Sequence, residues 1–380
     1  MQEFLSVTKK EFLDIVKSYY NKSYAVGEIT DIADMLKFAE LHQLKGLLCH
    51  MLLNGKPKAE YDERLIKSVY LSAIQTGLIF SRESERLKNF LTENGIYFYF
   101  LKGQYVKRYY EPEAIRSMGD VDVYVMEADT DKVKEYFTGN GYKQTLYYDK
   151  VYNFRNSLVE FELHNSIEWF GVDWAAEASI NECLEPVYQL KLAIIHAMKH
   201  IVNFGCGIRQ LLDIALMLKA NGVNGLKGDF EDKIAKLRLT KCYFTLLGVI
   251  DKWFDTSYSP ADTDKNAVDI LEQVVLDGGV FGFNVNDYAS INIVKNNSKT
   301  KMLLSMLFPK YERMVLSYPK LENKKYLLPY YYVYRLINKG LKGKKYKEIY
   351  INDERQNAVD NRKLFVDSLE LKEQYYNKNI

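Results

Sequence analysis

The stretch 101-LKGQYVKRYYEPEAIRSMGDVDVYV-125 carries three signals in succession. A short apolar run, IYFYFL at 96–101, reads as a buried strand and closes at Lys102-Gly103. The segment QYVKRYY then reads as a helix cut off before Pro112. Finally Val121, Val123 and Val125 alternate with Asp120, Asp122 and Tyr124, the period-two signature of a second strand. Residues two apart on a strand share a side, so Asp120 and Asp122 are expected to face together from a sheet buried on its other face. Two neighbouring carboxylates repel, and one stays protonated unless a cation lies between them. The economical cation is a divalent metal with oxygen ligands, Mg²⁺ or Mn²⁺, since Mg²⁺ is the usual ion where phosphates also bind. Removal of one charge, as in Asp122→Asn, is accordingly expected to raise the melting temperature of the metal-free chain. Glu127/Asp129, Asp129/Asp131 and Asp262/Asp264 have the same spacing but polar, loop-like or helix-start flanks, and carry no such expectation.

A third acid is expected from a neighbouring strand. In 158-LVEFELHNSIEW-169, Val159, Phe161 and Leu163 face one way while Glu160, Glu162 and His164 face the other. Together with the preceding YYDKVYNFRN this reads as a β-hairpin. Glu162 is the preferred third carboxylate and Glu160 the alternative; a solvated edge strand would show the same pattern. His164 either orients a metal-bound carboxylate, touches a phosphate, or is a satisfied strand histidine. Gly103, between strand and helix, lets backbone N–H groups approach a phosphate, and Lys102 and Arg116 add positive charge nearby.

Outward from this centre the chain turns helical. Thr30 reads as the N-cap of a helical pattern through 30–53, NGKPK at 54–58 as a loop, and 63–95 as a long helix ending on Asn-Gly. Helical patterns also cover 127–142, 186–203, 208–220 and 229–239. A glycine-rich turn, DGGVFGF, stands at 277–283, and an aromatic helix runs into a basic tail over 326–347. The fold class is therefore α+β with an α/β centre: a small mixed sheet flanked by N-terminal and C-terminal helical regions.

The order strand, glycine, helix, strand with Asp-x-Asp, later strand with an acid resembles the nucleotidyltransferases of the DNA polymerase β superfamily. The wording LKG…YEPEAIRSMGDVDVYV…VEFELHNSIEW is similar to a bacterial branch known mainly as uncharacterised nucleotidyltransferases. The resemblance extends over roughly residues 30 to 340, through 193-AIIHAMKH-200, 208-IRQLLDIAL-216, 277-DGGVFGF-283 and 307-LFPKYERMVLSYP-319. With the layout along the chain, it gives a polymerase β-like core over 93–183 as the expectation, beside a helical region at 1–92, a second packing on the core at 184–260, and a mostly helical remainder with a basic tail at 261–380. It also implies that Asp120, Asp122 and Glu162 bind two metal ions and carry catalysis. Lys102, Gly103, Gln104 and Arg116 would bind the nucleotide, and NMP would pass from an NTP to an acceptor with release of pyrophosphate. Two features depart from the superfamily: Gly103 is followed by Gln104 where serine or glycine is usual, and the gap from Gly103 to Asp120 is long. A catalytically silent binding module and a kinase acting at the γ-phosphate are the alternatives; intact acids at all three positions favour the enzyme.

His196 and His200 have zinc-like HxxxH spacing, but Ala197 stands where HExxH needs its glutamate, and no third ligand is apparent. They are expected to pack a helix or to line the substrate cleft. Arg209 and Asp213, four apart on a helix, are expected to form a structural ion pair. The basic tail 339–347 is expected to be a solvated end. The chain's net charge of +2 argues against nucleic acid as partner, leaving an NTP and an unidentified acceptor. Cys49, Cys183, Cys206 and Cys242 are scattered, as for reduced thiols. With no apolar signal-peptide core at the start and no membrane-length apolar stretch, a soluble cytoplasmic protein is expected.

Overall fold

A computed structural model describes residues 2–55, 57, 61–148, 151–179, 182–203, 205–279, 308–309, 311, 314–315, 318–321, 324–340 and 363–376. The chain forms two compact units, Met1–Gly282 with Asn379–Ile380, and Phe283–Lys378.

The first unit opens with helices α1 (Gln2–Tyr20), α2 (Ile32–Leu41), α3 (Lys45–Gly55) and α4 (Glu63–Glu93). The continuous helical pattern at 30–53 is in fact two helices, because Gln43 takes a left-handed φ of 53° that no helix can pass through. Asp31, not Thr30, caps α2 by accepting from the Asp34 N–H at 2.9 Å; the Thr30 hydroxyl instead donates to Glu11 at 2.5 Å. Helix α4 is capped by Asp62 and ends at Asn94, with Gly95 at a φ of 63° turning the chain out. Its buried residues Ile66, Gly77, Phe80, Ser84, Leu87 and Leu91 form one stripe, with Glu83 buried beside them.

The sheet follows: β1 (Phe98–Phe100), α5 (Lys102–Val106), β2 (Val121–Val125), α6 (Thr130–Gly139), β3 (Lys143–Tyr148), β4 (Val151–Arg155) and β5 (Glu160–His164). Its order is β1-β2-β5-β4-β3, with β2 and β5 parallel and every other pair antiparallel. The expected hairpin is the β4–β5 pair, and β3 extends it into a meander. A short ribbon, β6 (Glu168–Trp169) with β7 (Val172–Asp173), comes next.

One face of the sheet is core. Val121, Val123, Val125, Phe154, Phe161 and Leu163 pack against Phe80, Leu87 and Leu91 of α4 and Val133 and Phe137 of α6. The alternation that buries these residues presents Asp122, Glu162, His164 and Asn153 on the opposite face. Helices α7 (Pro186–Asn203), α8 (Ile208–Asn221), α9 (Asp229–Lys236), α10 (Thr240–Phe254) and α11 (Lys265–Gly278) complete the unit. Tyr188 of α7 meets Tyr99 edge-on at 6.3 Å, and Tyr99 pairs in register with Tyr124, so α7 runs over the acid-bearing face.

The second unit contains α12 (Leu328–Gly340), the aromatic helix expected from the sequence. Residues 341–347 of the basic tail and 280–283 of the glycine-rich turn lie outside the described residues. Among the described residues no helix is long and apolar enough to cross a membrane.

Candidate metal and phosphate site

The parallel register of β2 and β5 sets Asp122 opposite Glu162 and Tyr124 opposite His164. Three residues therefore converge: ligand atoms of Asp122, Glu162 and His164 all lie within 4.8 Å of one another. His164 Nε2 is 2.9 Å from Asp122 Oδ1 and 3.5 Å from Glu162 Oε2. Lys102 Nζ donates to the same Asp122 Oδ1 at 2.5 Å and stands 3.9 Å from Glu162 Oε2. Asp122 is 2% exposed, whereas the Lys102 and Glu162 side chains are 22% and 25% exposed, so the cluster opens to solvent on their side.

Local backbone explains how Lys102 gets there. It takes a φ of 46°, a left-handed conformation costly for a residue with a Cβ, at the junction of β1 and α5. The Leu101 N–H donates to the Asp122 carbonyl at 3.0 Å, which ties that junction to β2. Gly103 is required by close packing: a Cβ there would lie 2.5 Å from Arg116 Nη1 and 2.9 Å from Met118 Cγ.

Electrostatics divide the two aspartates. Burial alone would raise the Asp122 pKa, but Lys102 and His164 more than offset it and hold the carboxyl below its usual range. Burial, followed by repulsion from Asp122, pushes Asp120 up to about 7, and Lys102 only partly relieves it. The repulsion among the clustered acids is thus expressed at Asp120 and not at Asp122. Burial opposes the charge of Lys102, yet Asp122, Glu162 and Asp120 raise its pKa above the ordinary lysine value. His164 is also raised: burial opposes protonation, and hydrogen bonds to Asp122 and Glu162 overcome it. Asp120 precedes β2, and its carboxylate is not part of the 4.8 Å group.

The other expected residues are distributed around this centre. Glu160 lies one step further along β5, and Asn153, which the sequence reading passed over, donates to Glu160 Oε1 at 3.3 Å and Glu162 Oε1 at 3.2 Å. Its signal was the alternation in VYNFR, where burial of Phe154 aims Asn153 at the acid face. Gln104 points into a cleft of about 1030 Å³ beside β1 and α4, lined also by Phe98, Tyr105, Lys107 and Arg108. Its buried Oε1 has no hydrogen-bond partner.

Arg116 is engaged in a buried fork with Asp213, Nε to Oδ1 at 3.1 Å and Nη2 to Oδ2 at 2.6 Å, with Asp120 within electrostatic range. Asp213 is therefore not the partner of Arg209, as helical spacing had suggested. Arg209 donates instead to the Gln43 side chain and to the Ser117 carbonyl, the latter at 2.6 Å. Burial and the like charge of Arg116 bring its pKa down to about 10.

His196 and His200 touch each other, Nε2 to Nε2 at 3.0 Å, and His196 packs on Trp169 with ring centres 5.2 Å apart. Burial, then the positive charge of Lys102 and Lys199, lowers His200 to about 4. Burial and the neighbouring His200 take His196 well below its ordinary value. Both shifts favour the neutral imidazole, and Lys102 is among the charges that lower each ring.

A family model described as an uncharacterised nucleotidyltransferase matches residues 29–255, more than half of the chain. The span contains α2 through α10 and every residue of the site; the resembling stretches 277–283 and 307–319 lie beyond it. No curated protein and no solved structure matches.

Proposed function

The chain belongs to this nucleotidyltransferase family, and from that premise we propose that it is a divalent-metal-dependent enzyme. It transfers a nucleoside monophosphate from a nucleoside triphosphate to an acceptor and releases pyrophosphate. The observation that carries this reading is the convergence of Asp122, Glu162 and His164 within 4.8 Å on the open face of the sheet. These donors fit a divalent cation: they are oxygen- and nitrogen-bearing, close together, and have already drawn the Lys102 ammonium against them. Asp122, Glu162 and His164 would hold the cation, with Asp120 joining from the head of β2. A cation bound there would neutralise the triphosphate and the charge developing on the leaving pyrophosphate.

The chain's own groups supply position and charge. Lys102, once freed from Asp122, would supply positive charge to a phosphate oxygen. Gly103 keeps the start of α5 tight against Arg116 and Met118, holding the backbone where phosphates would lie. The acceptor oxygen attacks the α-phosphorus, and the bond to the β-phosphate oxygen breaks.

The test is transfer of label from α-labelled against γ-labelled NTP, with thermal unfolding alongside. Wild type should melt higher only when NTP and metal are both present, by about 2.7 kcal/mol at a hundred times Kd, and Asp122→Asn should lose that shift. Label from the α-phosphate in product supports nucleotidyl transfer; label from the γ-phosphate alone means a kinase. No shift with any NTP leaves Lys102 as a permanent counter-ion and the chain as a silent binding module.

A further inference from the structure

Resting on the reading above, we propose that His164 makes this centre select a first-row transition cation, Mn²⁺ through Zn²⁺, over Mg²⁺. Glu162 and His164 are two apart on β5 and so face the same side, each against Asp122. His164 is 8% exposed, and its Nε2 rather than a hydrocarbon edge is turned on the carboxylates, 2.9 Å from Asp122 and 3.5 Å from Glu162. Asn153 occupies Glu162 Oε1, which leaves Oε2, the oxygen facing His164, for a cation. On metal binding the Nε2 proton that His164 shares with Asp122 is released to solvent, and the donor set is then two carboxylate oxygens and one imidazole nitrogen.

That set discriminates between ions. Mg²⁺ demands near-ideal octahedral oxygen coordination, dehydrates reluctantly and gains little from imidazole. Nitrogen donors favour the later divalent ions, with affinity rising from Mn²⁺ towards Zn²⁺. The Lys102 ammonium, on the same Asp122 oxygen that faces His164, must leave for any ion to enter. A weakly bound ion that keeps most of its waters competes poorly with a 2.5 Å charged hydrogen bond, whereas one that gains a metal–nitrogen bond competes well.

The experiment uses the full chain, stripped by chelator and titrated calorimetrically with Mn²⁺, Zn²⁺ and Mg²⁺, with pulsed electron paramagnetic resonance of the bound Mn²⁺. Wild type should bind Mn²⁺ at least about tenfold tighter than Mg²⁺, with Zn²⁺ tighter still. The Mn²⁺ signal should show hyperfine coupling to a directly bound nitrogen. His164→Asn and His164→Gln should lose that coupling and about tenfold or more in Mn²⁺ affinity, leaving Mg²⁺ within about twofold. Absence of nitrogen coupling in wild type overturns the proposal whether or not the variants fold, as does an unchanged Mn²⁺/Mg²⁺ ratio in both folded variants. Tight Mn²⁺ binding with nitrogen coupling but no effect of nucleotide would sink the transferase reading and leave this inference standing. NTP transfer dependent on Asp122 with no nitrogen coupling would do the reverse.

Discussion

Two buried aspartates, Asp213 and Asp122, each hold a cation, and they are built to different ends. Asp213 is closed: Arg116 takes both its oxygens through a planar fork, and the Tyr110 hydroxyl donates to Oδ1 at 2.7 Å. Burial opposes the Arg116 charge, but Asp213 more than offsets it, so the guanidinium is held above its ordinary pKa. Asp122 belongs to an open cluster: one lysine and one histidine share a single oxygen, while Glu162 and Asp120 add anionic charge, and Lys102 and Arg209 only partly relieve Asp120. A buried pair whose geometry and charge are both satisfied is scaffold. A buried cluster with surplus charge of one sign, opening to solvent, is a site awaiting a ligand.

The largest effect should come from breaking the closed pair. Arg116→Ala or Asp213→Ala leaves an uncompensated buried charge, and chemical denaturation should show a loss of about 3–5 kcal/mol. A loss below about 1 kcal/mol would mean the fork is ornamental and the contrast false. Next, Gly103→Ala pushes a methyl against Arg116 and Met118 where the two regions meet. It should cost about 1–3 kcal/mol and weaken nucleotide binding together with stability.

Asp120→Asn should act in the opposite direction. A carboxyl raised from 3.8 to about 7 binds its proton more tightly in the folded chain. Its contribution to stability is complete below about pH 4 and is lost as pH rises through about 7. At pH 8 the metal-free Asp120→Asn variant should therefore be more stable than wild type by about 1–2 kcal/mol, with the advantage shrinking as pH falls and gone only below about pH 4. Because a cation competes with that proton, calorimetry should also show metal affinity rising with pH up to about 7 and levelling above. Asn153→Ala should do least, about 1 kcal/mol from its bonds to Glu160 and Glu162, and should loosen metal binding more than it lowers melting.

Much of this was readable from the chain. Strand alternation in VDVYV and VEFELH identified the acid face, because burying valine, phenylalanine and leucine on one side leaves the acids no other direction. Where local pattern was ambiguous, it failed. Lys143–Tyr148, KQTLYY, has no clean alternation, and its role as a strand depends on pairing with β4. The break between α2 and α3 rests on the left-handed Gln43, which the surrounding apolar pattern conceals.

The sequence alone determined the class of fold, the strand carrying Asp122 with Asp120 just ahead of it, and the strand carrying Glu162 and His164, since each follows from periodicity within a few residues. Only the tertiary structure decided the partners. Arg116 finds Asp213 far along the chain and leaves Arg209 to Gln43 and Ser117, while Lys102 and His164 meet on one oxygen of Asp122. Hydrophobic alternation says which face a side chain takes, but charge pairing depends on distances between elements that only their packing sets.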